Sequence, residues 1–162
     1  MAGEKNQTKK PHTVRIMKNI SKLITAALLV AFTGSALAEV TVKAGPRKGR
    51  ILEVEGQNAE FFVEKDRTVS FAFYDAAMKA QPATAQIITA TAEAPTGKLK
   101  LEFEKKGDLL VSKTPLPEGE NYTVVVQVKP TAEAKSKNFR IKLDLSTCAG
   151  CSNPEYACTC DE

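Results

Sequence analysis

All four cysteines of this 162-residue chain lie in its last fifteen residues. Cys148 and Cys151 form Cys-Ala-Gly-Cys; after six residues, Cys158 and Cys160 form Cys-Thr-Cys. Three chemistries fit such spacing. In the first, a Cys-x-x-Cys turn, helped to close by Gly150, points two sulfurs at one ion and the Cys-x-Cys pair adds two more. That set suits tetrahedral Zn or two- to three-coordinate Cu(I). In the second, the four thiols oxidise to two disulfides, for which three pairings exist; an oxidising compartment favours this outcome. The small ring of a Cys158–Cys160 bridge is strained, so crossed pairings are expected. In the third, Cys148 and Cys151 exchange disulfides, which requires a thiol pKa lowered by a helix N-terminus or a basic neighbour. The sequence neighbours are instead Glu155, Asp161 and Glu162, which oppose thiolate formation and attract a cation.

The segment carrying these cysteines, residues 147–162, is poor in apolar residues; only Ala149, Tyr156 and Ala157 stand out. Order in the tail is therefore expected from metal or covalent staples, not from burial. Since no cysteine lies upstream, deletion of 147–162 is expected to leave the preceding domain folded.

What must position the cysteines is a run of strands. In Lys98 to Lys105, Leu99, Leu101 and Phe103 alternate with charged residues. Phe139, Ile141, Leu143 and Leu145 do the same, as do Val69, Phe71 and Phe73, and Tyr122, Val124, Val126 and Val128. Period-2 alternation means sheets with one face on a core. Turn residues such as Gly56-Gln57-Asn58, Pro95-Thr96-Gly97 and Gly107-Asp108 divide the runs, predicting nine strands: 39–43, 50–55, 59–65, 68–74, 84–93, 98–105, 109–113, 122–129 and 138–146. The alanine-rich stretch 83–94 reads as strand because Ile87, Ile88, Thr89 and Thr91 are β-branched. The expected fold is all-β, a two-layer antiparallel immunoglobulin-like sandwich of about 7–9 strands with an irregular Cys-rich tail. Tyr122, just after the Gly119 turn, stands where such sandwiches place a tyrosine corner, and equally where an ordinary half-buried tyrosine would stand.

Upstream, residues 1–38 read as a secretory signal peptide. Lys5, Lys9, Lys10, Arg15, Lys18 and Lys22 precede the apolar run Leu23–Phe32, and Ser35-Ala36-Leu37-Ala38 suits signal peptidase. The run is short of the roughly 20 residues that span a bilayer. Met17 opens a complete leader by itself and is an alternative start. The whole chain carries 23 Lys+Arg and 19 Asp+Glu, net +4. Six of those basic residues and one acidic residue lie in the leader, leaving 17 and 18, net −1. No basic patch for nucleic acid survives cleavage. The lone histidine, His12, departs with the leader, and the chain has no tryptophan. Ser-His, Cys-His and 2-His-1-carboxylate chemistries are thereby excluded, and the expected protein is not an enzyme.

Other residues with chemical potential have plainer readings. Met78 is a thioether whose usual role is packing. Glu53/Glu55, Glu60/Glu64 and Glu102/Glu104 are spaced as outward-facing strand charges, which blunt edges more often than they hydrolyse sugars. Phe61 and Phe62 are both expected in the core.

Gly49-Arg-Ile-Leu-Glu-Val, Glu60-Phe-Phe-Val-Glu-Lys, Phe73-Tyr-Asp and Leu116-Pro-Glu-Gly-Glu-Asn-Tyr together resemble small immunoglobulin-like domains of bacterial envelopes. Those domains stand beside, or are fused to, periplasmic adaptor subunits of heavy-metal efflux pumps. The resemblance spans roughly residues 48–145 and implies a periplasmic β-sandwich concerned with metals. Such domains often carry His before the first Gly; this chain has Lys48, so metal binding would fall to the tail, whose cysteine spacing is similar to metallothionein-type clusters.

The reading these features lead to is an exported, non-catalytic module of envelope heavy-metal handling. It binds Zn or Cu(I) through Cys148, Cys151, Cys158 and Cys160. Its implied partners are the ion and an envelope efflux or adaptor protein, with no nucleic acid and no membrane anchor after cleavage. The alternative is a structural or protein-interaction sandwich, residues 39–146, whose tail is stapled by two disulfides.

Overall fold

The computed structural model describes residues 41–160; the signal-peptide reading of 1–38 and the acidic terminus Asp161-Glu162 lie outside them. The described chain is all-β, with ten strands and one 3-10 turn at Glu155–Ala157. The strands are β1 (Arg50–Val54), β2 (Gln57–Val63), β3 (Val69–Asp75), β4 (Ala80–Gln81), β5 (Ile87–Ala94), β6 (Gly97–Leu101), β7 (Phe103–Lys106), β8 (Leu109–Ser112), β9 (Tyr122–Lys129) and β10 (Lys137–Leu143). One sheet has the order β1-β2-β3-β8-β7, with β4 also paired to β3; the other has the order β10-β9-β5-β6. Every pairing is antiparallel.

The alternations set which side chains the sheets turn inward. β9 buries Tyr122, Val124, Val126 and Val128, and β10 adds Ile141 and Leu143. β5 buries Ile88, Ala90, Ala92 and Ala94; its alanines give the strand a low interior profile. Opposite stand Leu52, Ala59, Phe61, Val69, Phe71 and Phe73, with Phe71 edge-on to both Phe61 and Phe103. The Tyr122 hydroxyl donates to the Pro117 carbonyl at 2.9 Å, tying the 116–119 loop to the start of β9.

The predicted strand 98–105 is two strands. β6 pairs with β5 in one sheet, whereas β7 pairs with β8 in the other, and the change occurs at Glu102, whose carbonyl accepts the Lys113 N–H. Leu99, Leu101 and Phe103 all still pack toward the core. A strand crossing a sandwich edge keeps its inward face while exchanging hydrogen-bond partners, so alternation reports facing and is blind to pairing. The strand expected at 39–43 is not formed over its described part; Ala44 makes only an isolated bridge to Arg50.

Two side-chain placements differ from the sequence reading. Glu60, expected to face solvent, is fully buried. Its Oε1 accepts the N–H groups of Arg47 (2.9 Å) and Gly49 (2.8 Å), and its Oε2 accepts the Tyr74 hydroxyl at 2.7 Å. A Cβ on Gly45 would collide with the Glu60 carboxyl group, and one on Gly49 with the Phe61 carbonyl and the Glu60 side chain, so both glycines let the loop close over the carboxyl group. Burying a polar group is tolerable only with its hydrogen bonds made, and this carboxyl group is covered by the loop it organises. Phe62 is only partly buried and lies under the Arg47 guanidinium, 4.5 Å from the ring centre, while that guanidinium pairs with Glu64 at 2.6 Å.

Candidate metal centre

After β10 the chain doubles back on itself. Cys148 N–H donates to the Asn153 carbonyl at 2.8 Å, Ser152 N–H to the Cys148 carbonyl at 3.0 Å, and Glu155 N–H to the Ser146 carbonyl at 2.8 Å. Thr147 and Pro154 form an antiparallel bridge. The turn holding Cys151 is closed by Ser152, which takes φ +58°. The 3-10 turn then brings Cys158 back, its N–H donating to the Glu155 carbonyl at 3.1 Å.

The outcome is a single sulfur cluster. The Sγ atoms of Cys148, Cys151, Cys158 and Cys160 all lie within 4.8 Å of one another. Cys148–Cys160 is 3.8 Å, Cys151–Cys158 3.7 Å and Cys148–Cys158 3.0 Å. A disulfide requires about 2.05 Å, so these are four thiols in contact. A tetrahedral ion with sulfurs at about 2.3 Å has S–S edges of about 3.8 Å. The two contacts at 3.8 and 3.7 Å share no residue, and so correspond to opposite edges of such a tetrahedron. Gly150 is part of the fit: a Cβ there would stand 2.6 Å from the Cys160 sulfur.

Burial grades across the cluster from Cys148, which is buried, through Cys151 and Cys158 to Cys160, which is exposed. Electrostatics divide it too. The backbone amides of Thr159 and Asn153 hydrogen-bond the Cys151 sulfur and pull its thiol down to about 6. Contact with Cys148 holds the Cys158 thiol up at about 12 and also raises Cys160. From sequence, the acidic neighbours predict the opposite for Cys151; backbone N–H groups supply what no basic side chain does. Cys151 therefore deprotonates more readily than Cys158 and Cys160, which resist because their sulfurs hydrogen-bond to Cys148. A bound cation removes that resistance.

The tail is also part of the sandwich core, which the sequence reading denied it. Tyr156 is 3 % exposed and Ala157 fully buried, both within the main core cluster. The Tyr156 ring meets Phe61 edge-on at 5.5 Å, its hydroxyl accepts the Val63 N–H at 3.2 Å, and its own N–H donates to the Asp144 carbonyl at 3.2 Å. Burying such a ring contributes about 1.5–3 kcal/mol, whereas fixing each residue's backbone costs about 1–2 kcal/mol. One ring therefore offsets the ordering of only a residue or two of the tail, so this buried plug does not replace a staple at the cysteines. A sequence signal for it existed: Tyr156-Ala157 is the tail's one adjacent apolar pair, between Cys151 and Cys158.

The other candidates are elsewhere. Met78 sits exposed in the turn after β3, its sulfur accepting the Asn58 side-chain N–H at 3.4 Å. Glu53, Glu102 and Glu104 pair with Lys43, Lys113 and Lys106 at the surface. Among the described residues, the four cysteines are the group brought together with metal-ligand geometry. No protein family, curated protein or solved structure matches the chain.

Proposed function

We propose that this protein is an exported, non-catalytic metal-binding module that holds one Zn or Cu(I) ion through Cys148, Cys151, Cys158 and Cys160. The observation that carries the reading is the convergence of all four Sγ atoms within 4.8 Å. Four thiolates at tetrahedral spacing favour Zn most directly, and Cu(I) is served by two or three of them. Mg and Ca, which need oxygen cages, are disfavoured. An immunoglobulin-like sandwich is the scaffold we assign. Its support is the pair of facing antiparallel sheets and the Tyr122 hydroxyl bonded five residues upstream to Pro117, as in a tyrosine corner. The leader-like N-terminus and the resemblance to efflux-associated domains are what support a role in envelope heavy-metal handling, with an efflux adaptor as the partner class.

Native mass spectrometry of the protein prepared without air tests this. The expected result is one bound ion per chain, displaced as pH falls because uptake releases thiol protons. Replacing Cys151 and Cys158 with Ser should abolish uptake. Gly150→Ala, which keeps every thiol but crowds the Cys160 sulfur, should weaken it by about 10-fold or more. A mass deficit matching two disulfides, with no ion and no thiol open to alkylation, would sink the metal reading in favour of a disulfide-stapled interaction domain.

A further inference from the structure

The residues that dock the tail on the sandwich and the residues that would hold the ion belong to one loop. Tyr156 and Ala157 lie between Cys151 and Cys158, and Cys158 directly follows Ala157. The loop's two ends are brought together at their sulfurs, 3.7 Å apart. Its middle enters the core against Phe61. Closing the sulfur cluster and seating the tyrosine therefore require the same backbone path.

We infer that ion binding at the four sulfurs controls the seating of Tyr156 in the sandwich, so that the metal acts as a latch on the domain. This deepens the metal-binding reading and rests on it. With the ion bound, the loop is closed and the ring is held in its slot. With the ion removed and the thiols reduced, the short loop has only one ring, one alanine and a few backbone hydrogen bonds to keep it in place, and Tyr156 leaves. Pro154 and Tyr156 also line an open groove with Phe62, Val63, Arg67 and Leu145. Release of the tail would remove that wall.

Val63 is a reporter for this. Its N–H, at the end of β2, donates to the Tyr156 hydroxyl, so its exchange with solvent reads the seated state. The experiment is amide hydrogen exchange by NMR on the whole reduced chain, metal-free and then with Zn2+, with ion uptake measured on the same samples. A ligand that binds only the seated form, at 100 times its Kd, shifts the equilibrium by about 100-fold. Val63 exchange should slow toward that limit, while the Val126 amide in the middle of β9 changes little. Tyr156→Phe, which keeps the ring but removes the acceptor, should abolish the Val63 response without abolishing uptake. Stoichiometric Zn2+ uptake with unchanged Val63 exchange in the wild-type chain overturns the latch alone. A reduced chain that takes up neither Zn2+ nor, in a parallel titration, Cu(I) overturns the metal reading and the latch with it.

Discussion

The sandwich and the tail are held by different physics. The sandwich places Leu52, Phe61, Phe71, Val124, Val126, Ile141 and Leu143 entirely out of solvent, and its strands pair without help from any cysteine. The tail supplies two residues to that core and four sulfurs to one another. Apolar area removed from water is non-directional and additive over many side chains, whereas a metal centre depends on a few atoms at one geometry. A lost contact in the sandwich is therefore graded in its effect, whereas a lost sulfur in the tail is expected to be close to all-or-none for the proposed four-sulfur Zn site. The two meet at Tyr156, the one large side chain that belongs to both.

The largest test of this contrast is truncation in the sandwich. Ile141→Ala, at a fully buried position, should cost about 2–5 kcal/mol in urea unfolding. Phe103→Ala should cost less, since Phe103 is only partly buried against the core. Equal losses at the two sites would mean that the crossing strand β6–β7 is buried as deeply as β10.

Relative to the ion-loaded chain, removing residues 147–162 is expected to lower stability by about 2–4 kcal/mol through loss of the Tyr156 ring and its edge-on partner. The truncated sandwich should still unfold cooperatively, because that loss is below the roughly 5–15 kcal/mol typical of domains. No change in stability would show that the plug contributes nothing. Loss of cooperative unfolding would show that the tail is indispensable and erase the contrast.

The subtlest test uses the three tyrosines, the only ones in the chain. Burial raises Tyr156 to about 12 and raises Tyr74 and Tyr122 as well. A raised folded-state pKa contributes stability that is complete below the unfolded value of about 10 and is lost as pH rises through the folded value. Phenolate absorbance should therefore stay silent near pH 10 in the loaded protein and rise at higher pH. If the tail is released on metal removal, one tyrosine in three should titrate near pH 10 while the sandwich pair stays protonated. Simultaneous titration of all three at the ordinary value would mean that none is held as the structure places it.

Much of this architecture was legible in residue order. Alternation alone marks Phe71, Phe73, Leu101, Val124, Val126, Ile141 and Leu143 as interior, because a strand's side chains take opposite faces whatever it pairs with. The β-branched Ile87, Ile88, Thr89 and Thr91 outweigh the alanines over Ile87–Ala94, whereas residues 84–86, also expected in the strand, lie outside it. Cysteine spacing alone nominated all four members of the cluster, since short loops confine their ends to one neighbourhood. Only the tertiary structure decided matters that depend on segments distant in sequence. The exchange of sheets at Glu102 depends on where β5 and β8 lie, and alternation carries no record of either. Glu60 became interior because the loop 45–49 folds over it, leaving two backbone N–H groups and the Tyr74 hydroxyl as its partners. The lowered thiol of Cys151 came from backbone amides whose direction depends on the fold of the turn. Tyr156 belongs to the core because Phe61 and the Val63 N–H, over 90 residues away in sequence, form a slot that no local pattern encodes.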